Sequence, residues 1–100
     1  MAITPERELA LATLRVLGPL PSGSATYRQL MDRIPQHVSL TERDCEQSQT
    51  RPMELRWEQR VRNINSHKKD AGNFVFRGLL KPIPDGLAIT DAGRDFLKSH

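Results

Sequence analysis

The chain has a single cysteine, Cys45, so no internal disulfide can form, and such usage suits a reducing cytoplasm. It has no apolar run long enough to span a bilayer, which leaves out a membrane partner. Its opening residues, MAITPERELALATLRVL, carry acids early and lack the basic stretch followed by an apolar segment that marks a signal peptide. Cys45 and His37 have no further ligand-type neighbours at zinc-site spacing. His37, His67 and His100 are dispersed, and no Ser/His/Asp or Cys/His arrangement suggests a nucleophile. Paired acids beside a lysine, as in a nuclease metal centre, are missing, and so is a glycine-rich phosphate loop. These absences predict a chain with no catalytic residue, no metal and no cofactor of its own. At 100 residues the expectation is one domain, 1–100, with a modest core and no elaborate cleft.

What the sequence does have is charge placed unevenly. Hydrophobic residues make up 37% and charged residues 27%, which suits a globular chain. The net charge of +3 is not spread along it. Residues 51–81 hold eight Lys or Arg against three acids, a net of +5, whereas residues 1–50 and 82–100 are each −1. Such asymmetry points to a surface that faces a polyanion, the alternative being a solvated helix face.

Periodicity supplies the elements. In TPERELALATLRVL, Thr4 is the expected N-cap and Pro5 the first helical residue of a helix over about 5–17. Leu9, Ala10, Leu14, Val16 and Leu17 form its buried stripe, and Gly18-Pro19 stops it. Thr26 and Gln29 have capping-box spacing, and Tyr27, Leu30, Met31 and Ile34 recur on one face, predicting a helix over about 27–34. Ser24 and Ala25 before it suit a brief edge strand. Residues 35–52 lack a pattern; one helical turn or two within SLTERDCEQ, capped by Thr41, is the expectation. Helical spacing returns over about 54–69, with Trp57, Val61 and Ile64 inward. Asp70-Ala71-Gly72 marks its end, and NFVFRG is expected to form one more turn that buries Phe74.

The last stretch, GLLKPIPDGLAITDAG, reads as a β-hairpin over about 79–90 followed by a helix over about 91–98. Asp85-Gly86 is a type I′ hairpin signal. Pro82 and Pro84 cannot donate to a ladder, so their strand belongs at an edge. Thr90 caps the final helix, with Asp91 at its positive end. The predicted fold class is therefore mainly α with a small β-hairpin: a winged helix-turn-helix whose hairpin is the wing.

The segments TYRQLMDRI, RWEQRVRNINSHKKDAG and GLLKPIPDGLAITDAGRDFL also resemble the N-terminal winged-helix domain of Mrr-type and related, modification-dependent restriction endonucleases. That resemblance covers nearly the whole chain. It implies a target-recognition module for double-stranded DNA, fused to a separate nuclease domain that does the cutting. NFVFR stands as an insertion relative to the family pattern, and the connection before Met53 is longer than a helix-turn-helix turn.

On this reading Arg56, Gln59, Arg62, Asn63 and Ser66 form the outward helix face, rich in groups that bond base edges or phosphates. His67, Lys68 and Lys69 are phosphate ligands or plain solvated charges, and Arg77 and Lys81 flank the wing where a backbone contact is natural. Trp57 is a core anchor or, on the sharper alternative, touches a base methyl group with its ring edge. Recognition of a methylated base, N6-methyladenine before cytosine, is expected from that resemblance together with Trp57 and Asn63 beside the groove-facing residues. A stand-alone transcriptional regulator and a protein-docking winged helix are the competing functions.

Overall fold

The computed structural model describes residues 2–100. Its elements follow the expected order: α1 (Glu6–Leu17), β1 (Ser24–Thr26), α2 (Tyr27–Arg33), α3 (Arg56–Ser66), β2 (Leu80–Ile83), β3 (Gly86–Ile89) and α4 (Asp91–Lys98). Four α-helices thus pack with a three-stranded antiparallel sheet, an arrangement compatible with a winged-helix-like fold. No helix among the described residues is long and apolar enough to cross a membrane.

The helices bury the residues their spacing assigns. Leu9, Leu14 and Leu17 of α1, Leu30 of α2 and Trp57, Val61 and Ile64 of α3 meet Phe74, Leu80 and Leu87 in one core. The capping box of α2 is formed: Gln29 N–H donates to Thr26 Oγ1 at 3.2 Å, and Thr26 N–H donates to Gln29 Oε1 at 2.9 Å. Ile34 leaves the α ladder for a short 3₁₀ turn, Ile34–Gln36, where Pro35 withholds an N–H. Thr90 caps α4 by accepting Gly93 N–H at 3.0 Å.

α1 departs from expectation at its start. Pro5 is its N-cap rather than its first residue, and Thr4 does not cap it. The Thr4 hydroxyl donates instead to the carboxylate of Asp44, 40 residues away. The expected turn within SLTERDCEQ exists as a single turn. There Asp44 N–H donates to Thr41 Oγ1 at 3.1 Å and Thr41 N–H donates to Asp44 Oδ2 at 2.8 Å.

In the sheet the order is β1-β3-β2, so the strand carrying Pro82 lies at the edge, where its missing N–H leaves no gap. Ile83 pairs with Gly86, which makes Pro84-Asp85 the central turn pair instead of Asp85-Gly86. Pro84 cannot take the positive φ that a type I′ turn needs at its first centre, and Asp85 takes it at the second, φ 57°, the pattern of a type II turn. Gly86 is required for another reason: a Cβ there would stand 2.0 Å from Ala25 O, on the strand β1 that pairs with β3.

Candidate nucleic-acid interface

α3 begins without a side-chain cap, and the loop before it takes over that role. Arg56 N–H donates to Glu46 O at 2.8 Å and Trp57 N–H to Asp44 O at 3.0 Å, while Glu58 reaches back to accept Leu55 N–H at 2.8 Å. The helix then places Trp57, Val61 and Ile64 against the core, as 100° spacing requires. It ends at Ser66, three residues before its expected end. There the Asn73 side-chain amide donates to Ile64 O at 2.7 Å, satisfying a carbonyl that the helix end leaves open. Lys68 N–H turns to Asn65 O at 3.3 Å, and residues 67–69 form a turn.

The loop 46–55 folds back alongside α3. Ser48 N–H donates to Glu54 O at 2.8 Å, and Gln47 bridges Leu55. The Ser48 hydroxyl donates to Gln59 Oε1, and Gln59 Nε2 donates to Thr50 Oγ1 at 2.5 Å, so both ends of that carboxamide are fixed by the loop. Between loop and helix lies a polar cleft of about 240 Å³, lined by Gln49, Thr50, Arg56, Gln59, Arg60 and Asn63.

Three of the residues expected on the outward face, Arg56, Gln59 and Asn63, therefore come together around one cleft. Others do not join them. Arg62 points to the far side of the loop, with Nε 2.6 Å from Glu54 Oε2 and its guanidinium 4.9 Å from the centre of the Tyr27 ring. That position makes it a strut between α3, the loop and α2. Tyr27 itself is pushed above its ordinary pKa, chiefly by burial, with Arg62 opposing. His67 Nδ1 lies 2.7 Å from Glu6 Oε1 and ties the end of α3 to the start of α1. Trp57 is 4% exposed and packs in the core, the first of the two roles expected for it. Ser66, Lys68 and Lys69 are exposed at the end of α3, and Lys81 is exposed on β2. Arg77 is exposed too, its guanidinium 5.1 Å from the Phe96 ring centre.

The charge of the site is smaller than the sequence count. Arg56 Nε stands 3.4 Å from Glu46 Oε1, Arg60 Nη1 3.9 Å from Asp44 Oδ1, and Arg51 Nε 2.8 Å from Glu54 Oε1. Two of those acids lie outside the basic segment. Arg60, Gln49 and Thr50 were not singled out from sequence. Arg60 carries a signal, since it is four residues from Arg56 and three from Asn63. Gln49 and Thr50 carry none, because the fold of their loop sets their place. Among the described residues no three His, Cys, Asp or Glu side chains converge as metal ligands would.

No protein-family model, curated protein or solved structure matches this chain.

Proposed function

We propose that the chain is a double-stranded DNA-binding domain of the winged-helix type, with α3 entering the major groove and the β2–β3 hairpin acting as the wing. The observation that carries this reading is the polar cleft of α3, where Arg56, Asn63 and Gln59 gather donors and acceptors on a helix whose opposite stripe is locked in the core. The Asn63 side chain makes no hydrogen bond among the described residues, and a carboxamide pairs in two places with the N6/N7 edge of adenine. Lys68 and Lys69 beyond α3, and Lys81 and Arg77 by the wing, are exposed cations that suit phosphates. Service as the target-recognition module of a restriction endonuclease, with cutting left to a separate nuclease domain, is supported by the likeness of the three sequence segments. A methylated adenine would still bond Asn63 through N7 and its remaining N–H, but Trp57 has no part in that contact.

The internal pairing of Arg51, Arg56, Arg60 and Arg62 favours the second reading, a winged helix that docks a protein. Fluorescence anisotropy with a duplex selected from a random pool separates the two. Asn63→Ala is expected to weaken binding by roughly 1–3 kcal/mol and to relax preference at one base pair. Lys81→Ala weakens all sequences alike. An Asn63→Ala variant with an unchanged circular dichroism spectrum and parental affinity would show that this face is not the DNA surface.

A further inference from the structure

The cleft beside α3 is concave, which a helix reading stacked base edges does not need. Its volume of about 240 Å³ is the share of roughly eight water molecules, enough for a ring with its exocyclic groups. The lining also says what kind of group fits. The two amides that open α3, on Arg56 and Trp57, are spent on loop carbonyls, so the helix terminus offers them to no anion. Both guanidiniums of the cleft face carboxylates, Arg56 toward Glu46 and Arg60 toward Asp44. Little surplus charge is left there for a phosphate. What is unsatisfied is of another kind: the Asn63 carboxamide, which has no hydrogen-bond partner among the described residues, and Arg56 Nε, which approaches Glu46 Oε1 at 3.4 Å without forming a hydrogen bond. A neutral planar group with both donors and acceptors satisfies such a lining.

The wall opposite α3 cannot simply fold in. Gln59 holds Ser48 and Thr50, Arg51 N–H donates to Ser48 Oγ at 3.1 Å, and Glu54 is bound to both Arg51 and Arg62. The tip of this braced loop is Pro52-Met53, and Met53 is 96% exposed. Solitary exposed apolar residues are ordinary. One held out on a rigid arm, whose earlier residues Gln49 and Thr50 line the polar cleft, has the form of the Met and Pro wedges that separate base steps. Thr50, Pro52, Met53 and Arg62 line a second hollow of about 460 Å³.

We infer that the loop 48–54 is a base-displacing arm: Pro52-Met53 enters the stack, and the displaced base, adenine before others, turns into the cleft against Asn63 and Arg56. This rests on the DNA-binding reading above and adds to it a base removed from the helix. The test uses the full chain and a duplex selected by it from a random pool, with 2-aminopurine placed at each position in turn. At saturating protein, emission should rise several-fold at one position, and Met53→Ala should remove most of that rise. A mispair at that position should tighten binding about tenfold, because an unpaired base is easier to extrude. Asn63→Ala should abolish the preference for adenine there. Saturable binding with no emission rise at any position overturns the arm and leaves the DNA-binding reading intact. Failure to retain any duplex overturns both.

Discussion

A carboxylate with no exposed surface is tolerated only when donors surround it, and Asp44 has such a shell. Thr4 N–H donates to Oδ1 at 2.8 Å, the Thr4 hydroxyl and Thr41 N–H donate to Oδ2, and Arg60 stands 3.9 Å away. Its own carbonyl meanwhile receives Trp57 N–H. One residue thus joins the chain's start, the unpatterned loop and the entry of α3. Burial by itself raises the pKa of this group, but the hydrogen bonds from Thr4 and Thr41 outweigh it and hold the carboxyl below its ordinary 3.8. With a depressed folded-state pKa, the unfolded chain takes up the proton first as the medium is acidified. The stabilisation is therefore complete well above 3.8 and is lost as pH falls from there through the lower folded value. Asp44→Asn should cost about 3 kcal/mol at pH 7, since three donors face an amide that cannot accept them all. Urea denaturation of parent and variant at pH 7 and pH 3 checks this. The gap should narrow at pH 3, and an equal gap at both would mean that the charge contributes nothing.

At the scale of elements, β1, β3 and α4 are drawn together where side chains are absent. A Cβ on Gly86 would meet Ala25 O at 2.0 Å, and one on Gly93 would meet Leu79 O at 2.2 Å, in both cases backbone that has no rotamer to give. Gly86→Ala should push β1 off β3 and cost roughly 2–3 kcal/mol. Slowed amide exchange in β3 should be lost in the variant, and parental protection there would contradict the close approach. These elements were legible in the sequence because their signals are local: the Thr26/Gln29 box, the Thr90 cap, the helical stripes and the hairpin prolines. The turn sits one residue earlier than the Asp-Gly signal indicates, because Pro84 fixes its own φ. The end of α3 and the loop 46–55 were not legible. Their geometry depends on bonds from Asn73 to Ile64 and from Ser48 to Gln59, between residues that no periodicity links. Half of the candidate site shared that fate. The face of α3 followed from 100° spacing, but the wall that turns it into a cleft did not.

For the whole molecule, the question is how much of the basic segment's charge reaches the surface unpaired. Sequence counts eight cations within residues 51–81. Folding sets Arg51 and Arg62 against Glu54, Arg56 against Glu46 and Arg60 against Asp44, leaving Lys68, Lys69, Arg77 and Lys81 without an acidic partner among the described residues. The Arg51 and Arg56 pairs each have a half-exposed partner and are individually weak, yet an arginine already facing a carboxylate releases few counterions when it meets a phosphate. The two counts give different salt laws. Each phosphate neutralised contributes about −0.9 to the slope of log Kobs against log salt concentration, so eight contacts require about −7 and four about −3 to −4. We expect the shallower slope. Replacing Lys68 and Lys69 together by Ala should lower its magnitude by nearly 2, whereas Arg62→Ala should leave it unchanged and act through stability. Anisotropy titrations at several salt concentrations with one duplex measure all three. A slope near −7 for the parent would mean that the arginine pairs open on DNA and that the cleft does not keep its neutral lining in the complex. A slope near zero would point to the protein-docking reading.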